Sequence, residues 1–69
     1  MKIGTIVKLS EAGLDYLYAD APRKIREKAE KLRYEYRGHS KQYDDVVIVK
    51  RLTSNSWLNF HKTFIKPPQ

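Results

Sequence analysis

The residues best suited to metal binding or acid–base chemistry in this chain are its two histidines, and they lie far apart. His39 and His61 are separated by twenty-two positions, and the chain contains no cysteine. Zinc sites are built from ligands at short, regular spacings, and no short-spaced His, Asp or Glu pair accompanies either histidine. We therefore predict no metal site and no cofactor. We expect His39 to lie in a solvated loop and His61 to hydrogen-bond the backbone of the turn before the last strand.

The other polar groups with catalytic potential occupy positions typical of structural roles. Asp44 and Asp45 are adjacent, and adjacent residues of a strand point to opposite faces, so we interpret them as a strand start rather than an acid–base pair. The four serines lie in capping or turn contexts, and the three glycines form no phosphate-binding loop. We predict no catalytic residue, and we expect that the protein is not an enzyme.

A dense run of basic residues is the clearest functional signal. The chain has a formal net charge of +6, and eight lysines and arginines fall within nineteen positions, opposed there by three glutamates. A basic belt of this kind raises the local concentration of polyanions and speeds encounter with them. The simpler interpretation is a solvated helix face followed by a solvated strand face. The belt consists of Arg23, Lys24, Arg26, Lys28, Lys31, Arg33, Arg37 and Lys41.

Two classes of partner fit this composition. Nucleic-acid binding needs cations that contact phosphates, often with aromatic side chains that stack on bases. The competing class is a protein partner, held by an aromatic groove or an edge strand, with Tyr43, Trp57 and His61 as the candidate contacts. Tyr43 and Trp57 also offer flat surfaces to bases, although Trp57 has a second interpretation as a core or rim residue. The candidate phosphate contacts are Arg23, Lys24, Arg26, Lys31, Arg33, Arg37, Lys50 and Arg51.

The elements that must position these residues begin with a strand and two short helices. Alternating apolar and polar residues predict a first strand over Lys2–Leu9. Ser10 can cap a helix over Glu11–Tyr18. A second helix is predicted over Pro22–Glu30, because proline fits an early helical turn. A single helix from Ala21 to Tyr36 is the alternative, since apolar residues there also recur at helical spacing.

The rest of the chain predicts strands. Lys31–Arg37 alternates, with Tyr34 and Tyr36 expected in the core rather than as stacking platforms. Asp45–Leu52 and Trp57–Phe60 predict a hairpin around the turn residues 53–56, and a last strand closes the chain. The predicted core is Ile6, Val7, Leu9, Leu14, Leu17, Leu32, Tyr34, Val47, Val49, Leu58, Phe60, Phe64 and Ile65.

Two blocks of the sequence resemble known proteins. The opening Lys2–Leu14 (KIGTIVKLSEAGL) and the closing Phe60–Pro67 (FHKTFIKP) are similar to short SH3-like barrel proteins of tailed bacteriophages and prophages. The matching blocks cover the first fourteen residues and about the last twenty. The middle of the sequence differs from those proteins in two ways. They usually begin a Gly-rich strand where this chain has Glu30–Leu32, and the charged insert Pro22–Lys28 is longer here. The resemblance implies a fold and assigns no activity.

Together these observations predict a mainly β fold: one domain over residues 1–69, a small five-stranded SH3-like barrel with one or two short helices between strands 1 and 2. The longest apolar run, Val46–Val49, is far too short to cross a bilayer, and no signal-peptide core follows Met1. We expect a cytoplasmic protein, in the bacterial host cytoplasm if it is phage-encoded, without membrane contact. The predicted function is nucleic-acid binding, with modulation of a host protein as the alternative. Monomer and homodimer both remain open.

Overall fold

The computed structural model describes residues 1–67 as one antiparallel sheet with a helical layer on one side. The chain enters the sheet, leaves it for two helices, and returns for the remaining strands. Short turns join most of these elements. In chain order they are β1 (Ile6–Leu9), α1 (Glu11–Leu17), α2 (Arg23–Glu30), β2 (Tyr34–His39), β3 (Val46–Arg51), β4 (Trp57–His61), a 3₁₀ turn (Lys62–Phe64) and β5 (Ile65–Lys66).

The two predicted helices between strands 1 and 2 are confirmed. The Ser10 side chain caps α1 by accepting a hydrogen bond from the Gly13 backbone N–H at 3.2 Å. Helix α2 begins directly after Pro22, whose missing N–H costs nothing at a helix start. The alternative of one helix from Ala21 to Tyr36 is wrong, because α2 ends at Glu30 and the chain becomes a strand at Tyr34.

The five strands form one open sheet in the order β4-β3-β2-β1-β5, with every neighbouring pair antiparallel. Strand β1 is shared: Ile6 and Val7 pair with β2, whereas Lys8 and Leu9 pair with β5. Within residues 1–67 no hydrogen-bonded pairing joins β4 to β5, so the sheet does not close. The mainly β class with five strands and two helices is therefore confirmed in this coarser form.

Strand boundaries differ from the predictions at two glycines. The predicted first strand started at Lys2, but β1 starts at Ile6, because Gly4 has φ +96° and the Thr5 N–H donates to the Lys2 carbonyl in a turn. Strand β2 runs from Tyr34 to His39, whereas the predicted strand was Lys31–Arg37. Gly38 lies inside β2 with φ +122°. Glycine adopts a positive φ at little cost. Gly4 therefore forms part of a turn, and Gly38 forms part of a bulge.

The core lies between the helices and one face of the sheet, and most of its predicted members are buried or half-buried. Two predicted members are wrong: Ile6 is 38% exposed and Leu17 is 43% exposed. Ile6 points to the sheet face that the helices do not cover. Phe64, another predicted core residue, is only half-buried. Ala29 was not predicted, although it lies on the apolar stripe of α2. The buried residues are Val7, Leu9, Leu14, Ala29, Tyr34, Tyr36, Val47, Val49 and Ile65.

None of the helices within residues 1–67 has the length and apolar character that crossing a membrane requires.

Candidate nucleic-acid interface

One face of the sheet carries no helix, and its side chains line up across four strands. Ile6 on β1 lies opposite Glu35 on β2, Glu35 opposite Lys50 on β3, and Lys50 opposite Trp57 on β4. Residues two apart on a strand share a face, so Ile48 and its partner Asn59 belong to the same side. We call this surface the outer face, formed by Ile6, Glu35, Arg37, Ile48, Lys50, Trp57 and Asn59.

Arg37 lies on the outer face beside a β-bulge, two residues after Glu35 on β2. The β2–β3 register shifts between Tyr36 and Gly38, which leaves Arg37 as the extra residue of β2. Its guanidinium carbon lies 5.3 Å from the centroid of the Trp57 ring, within the range of a cation–π contact. Arg37 Nη1 also lies 3.4 Å from Glu35 Oε2. The outer face therefore brings together a cation, a carboxylate and an aromatic ring from β2 and β4, two strands that are not neighbours.

Trp57 is an exposed residue of this face. It retains 56% of its accessible surface, although it is the largest side chain in the protein. The interpretation of Trp57 as a core residue is therefore wrong, because the strand alternation that buries Leu58 and Phe60 turns Trp57 outward. An exposed indole supported by a guanidinium offers a flat surface to a ligand.

The cations of the helical segment are largely engaged with carboxylates or set apart from the outer face. Arg23 Nε lies 3.2 Å from Glu27 Oε1, and Arg26 Nη2 donates to Asp15 Oδ1 at 2.6 Å. The hydrogen bond that Arg26 donates to Asp15 raises the pKa of Arg26 above its ordinary value. Within residues 10–33, the predicted contacts without an ion pair are Arg33, which is half-buried, and Lys24 and Lys31, which are both exposed.

Arg33 and Arg51 have structural positions. Arg33 Nη1 donates to the backbone carbonyls of Glu30 and Leu32, each at 3.0 Å, and so satisfies the carboxyl end of α2. Arg51 lies opposite Tyr34 in the β2–β3 register, on the core side of the sheet. Its Nε atom is buried and has no hydrogen-bond partner among the residues that the structure describes. Of the predicted phosphate contacts, the outer face therefore brings together Arg37 and Lys50.

The net charge is unevenly divided between the two layers. Residues 10–33, which include both helices, carry six cations and five carboxylates. Residues 2–9 and 34–67, which form the sheet and its turns, carry eight cations and three carboxylates. The excess positive charge thus belongs to the sheet and not to the helical part of the predicted belt.

The three predicted aromatic contacts do not form one groove. Trp57 pairs with Lys50 at one end of β3, whereas Val46 at the other end pairs with His61. Val46 and His61 therefore lie about 13 Å along the strands from Trp57, at roughly 3.3 Å per residue. Tyr43 lies in the β2–β3 connection, at the Val46 end of β3, and is 64% exposed, so it belongs to a different part of the surface from Trp57.

The two histidines have structural surroundings. His61 Nδ1 accepts a hydrogen bond from the Thr63 backbone N–H at 3.2 Å, which confirms the prediction that His61 orders the turn before the last strand. His39 was expected in a loop but ends β2, where its ring packs edge-on against Tyr36 with centroids 5.8 Å apart. Within residues 1–67 no group of three His, Asp or Glu side chains is placed to hold a metal ion.

A shallow cavity of about 210 Å³ lies where β1 turns away from β2 towards β5. Two lysines and two glutamates face it above leucine side chains. Charges of both signs are therefore balanced there, in contrast to the sheet as a whole. The lining residues are Lys8, Leu9, Glu11, Leu14, Glu30 and Lys66.

No family model, curated protein or solved structure matches this chain. The resemblance to phage SH3-like proteins stays a prediction.

The sequence analysis did not predict the arrangement of the outer face. The sequence carries only part of the information that determines which of these residues lie side by side. Alternation correctly placed Lys50 and Glu35 on strands, but the pairing register decides that they lie opposite each other. The β2 bulge beside Arg37 leaves one trace in the sequence, which is the glycine at position 38.

Proposed function

We propose that this protein is a non-enzymatic binding module that contacts nucleic acid through the outer face of its sheet. The observation that carries the proposal is the exposed Trp57 ring beside Arg37, on the layer that holds the excess positive charge. Cations supply the sequence-independent attraction to phosphates, and an aromatic ring supplies a surface for bases. The outer face combines both in one place.

We further propose that the fold is a variant of the SH3-like barrel, as in the phage proteins that the two ends of the chain resemble. Two features support this. Strand β1 is divided between β2 and β5, which is how a small barrel shares a strand between its halves. The strand order also brings the first and last strands together. A phage origin would place the protein in the bacterial host cytoplasm.

A salt titration with a matched pair of variants tests the nucleic-acid proposal. Lys50→Gln removes a cation from the outer face, and Lys28→Gln removes one from the exposed side of α2. We expect binding of a labelled oligonucleotide, followed by fluorescence anisotropy, to weaken steeply with added salt. Lys50→Gln should lower the salt slope by about 1 and weaken binding to every sequence alike.

Lys28→Gln serves as the control, because it changes the net charge equally without touching the outer face. Equal losses for the two variants would show that the outer face is not the contact surface. Salt-independent binding, or no binding by the folded protein to any oligonucleotide, would overturn the proposed function.

A protein partner is the second candidate, and the open edge of β4 favours it. Within residues 1–67 this strand pairs only with β3, so its other side presents backbone groups that a partner strand can use. A host protein bound in this way would be captured from lysate after nuclease treatment and would stay bound at high salt. Nucleic-acid-mediated capture would be lost under the same treatment.

A further inference from the structure

We propose that the outer face selects single-stranded nucleic acid, with the Trp57 indole as the platform on which a base stacks. This inference rests on the proposed nucleic-acid function and adds the class of ligand. Bases of a single strand expose their π-faces, whereas a duplex hides them between neighbouring base pairs. An exposed indole on a sheet face can therefore engage a single strand in a way that a duplex does not permit.

Arg37 contacts the indole before any ligand arrives. Trp57 is 56% exposed, and the Arg37 guanidinium carbon lies 5.3 Å from its ring centroid. Arg37 lies beside the β2 bulge, and its Nη1 atom lies 3.4 Å from Glu35 Oε2. Because the contact with Arg37 favours one position of the ring, less side-chain freedom should be lost when a base stacks.

The charges around the ring suit a strand that continues past the stacked base. Lys50 lies directly opposite Trp57, and Arg37 keeps donors beyond the one directed at Glu35. Ile48, two residues before Lys50 on β3, and Ile6 on β1 add apolar surface to the same face. The outer face is a row of strand side chains, and no helix within residues 1–67 projects from it to enter the major groove of a duplex.

The experiment uses Trp57 as its own reporter, since it is the only tryptophan in the chain. Oligothymidylate and oligouridylate of about 12 nucleotides are titrated into the protein at low salt, beside a duplex of the same length. Anisotropy of a labelled oligonucleotide reports binding, and tryptophan fluorescence reports stacking. The DNA and RNA arms show which kind of single strand is preferred.

We expect both single strands to quench Trp57 fluorescence and the duplex to leave it nearly unchanged. Trp57→Ala should weaken single-strand binding roughly fivefold to a hundredfold, the range of one lost base stack, and should leave duplex binding almost unaltered. Trp57→Phe keeps a smaller ring and should fall between the two. Because Trp57 is exposed, these variants are expected to fold.

Two results would overturn the inference and can be told apart. If single strand and duplex bind equally, Trp57 fluorescence does not change and Trp57→Ala has no effect, then cations alone make the contact and the broader proposed function survives. If no oligonucleotide binds, the inference and the proposed function fail together.

Discussion

At the scale of single residues, Tyr34 shows how little the small core tolerates charge. Only about 1% of this side chain is exposed, and its ring meets Phe60 edge-on with centroids 5.5 Å apart. Burial raises the pKa of the Tyr34 hydroxyl above its ordinary value, because the phenolate would lose its hydration. The neighbouring Arg51 guanidinium favours the phenolate and opposes this rise. Burial is the larger effect, so the folded protein holds Tyr34 in its neutral form.

The raised pKa of Tyr34 predicts a loss of stability at alkaline pH. Below the ordinary tyrosine pKa of about 10, Tyr34 is protonated in the folded and unfolded chains alike, so its stabilising contribution is fully present. As pH rises through the raised pKa of the folded state, that contribution disappears. The free energy of unfolding should therefore fall less steeply with alkaline pH in Tyr34→Phe than in the unmodified protein.

Tyr43→Phe is the control for this measurement, because Tyr43 is 64% exposed and the substitution makes the same chemical change outside the core. Urea unfolding followed by circular dichroism, repeated across the alkaline range, gives the slopes directly. Matching slopes for Tyr34→Phe and Tyr43→Phe would contradict the assignment.

At the scale of elements, the joint between α1 and the 3₁₀ turn depends on Gly13. The Ser10 N–H donates to the Phe64 carbonyl at 2.8 Å, and the Tyr16 and Phe64 rings lie 5.0 Å apart. A Cβ atom at Gly13 would lie 2.5 Å from the Phe64 carbonyl oxygen, a separation that atoms do not tolerate. The helix thus approaches the turn at a position that glycine alone can occupy without a shift.

Gly13→Ala should destabilise the protein although alanine is the better helix former. Helix propensity alone would add about 1 kcal/mol of stability. The clash with backbone that cannot move freely should cost about 1–3 kcal/mol and outweigh that gain. Ala12→Gly, at the exposed neighbouring position, calibrates propensity in the same helix and should lose about 1 kcal/mol. If the urea midpoint of Gly13→Ala equals or exceeds that of the unmodified protein, the prediction is wrong. The 3₁₀ turn would then move enough to accommodate the added Cβ atom.

The elements were largely predictable because their signals are local. Each of these signals depends on neighbours within a few residues. They are the Ser10 cap, the apolar stripe through Ala29 and the alternation from Tyr34 to Tyr36. The features that were not predicted depend on pairing between distant segments. They are the open form of the sheet, the exposure of Ile6 and the contact of Arg37 with Trp57. Period-two alternation marks which residues share a face but does not indicate which face the helices cover.

At the scale of the whole molecule, the distribution of charge opposes folding of the sheet. The chain measures 34 × 23 × 22 Å along its principal axes and carries a net charge of +6. The Debye length is about 30 Å at 0.01 M salt and about 10 Å at 0.1 M, so at low salt nearly every cation feels every other. The ion pairs that would offset this repulsion are mostly exposed, and exposed pairs contribute about 0–1 kcal/mol each.

Stability and nucleic-acid binding should therefore respond to salt with opposite signs. Raising sodium chloride from about 0.01 M to about 0.1 M screens the repulsion, so the free energy of unfolding should rise, by less than about 1 kcal/mol, while binding weakens. Urea is the suitable denaturant, because guanidinium is itself a salt. Lys2→Gln combined with Lys41→Gln removes two exposed cations of the sheet segment and should flatten the rise. A fall in the free energy of unfolding over this range would contradict the prediction. It would mean that attraction within the surface ion pairs outweighs the repulsion among the excess cations of the sheet.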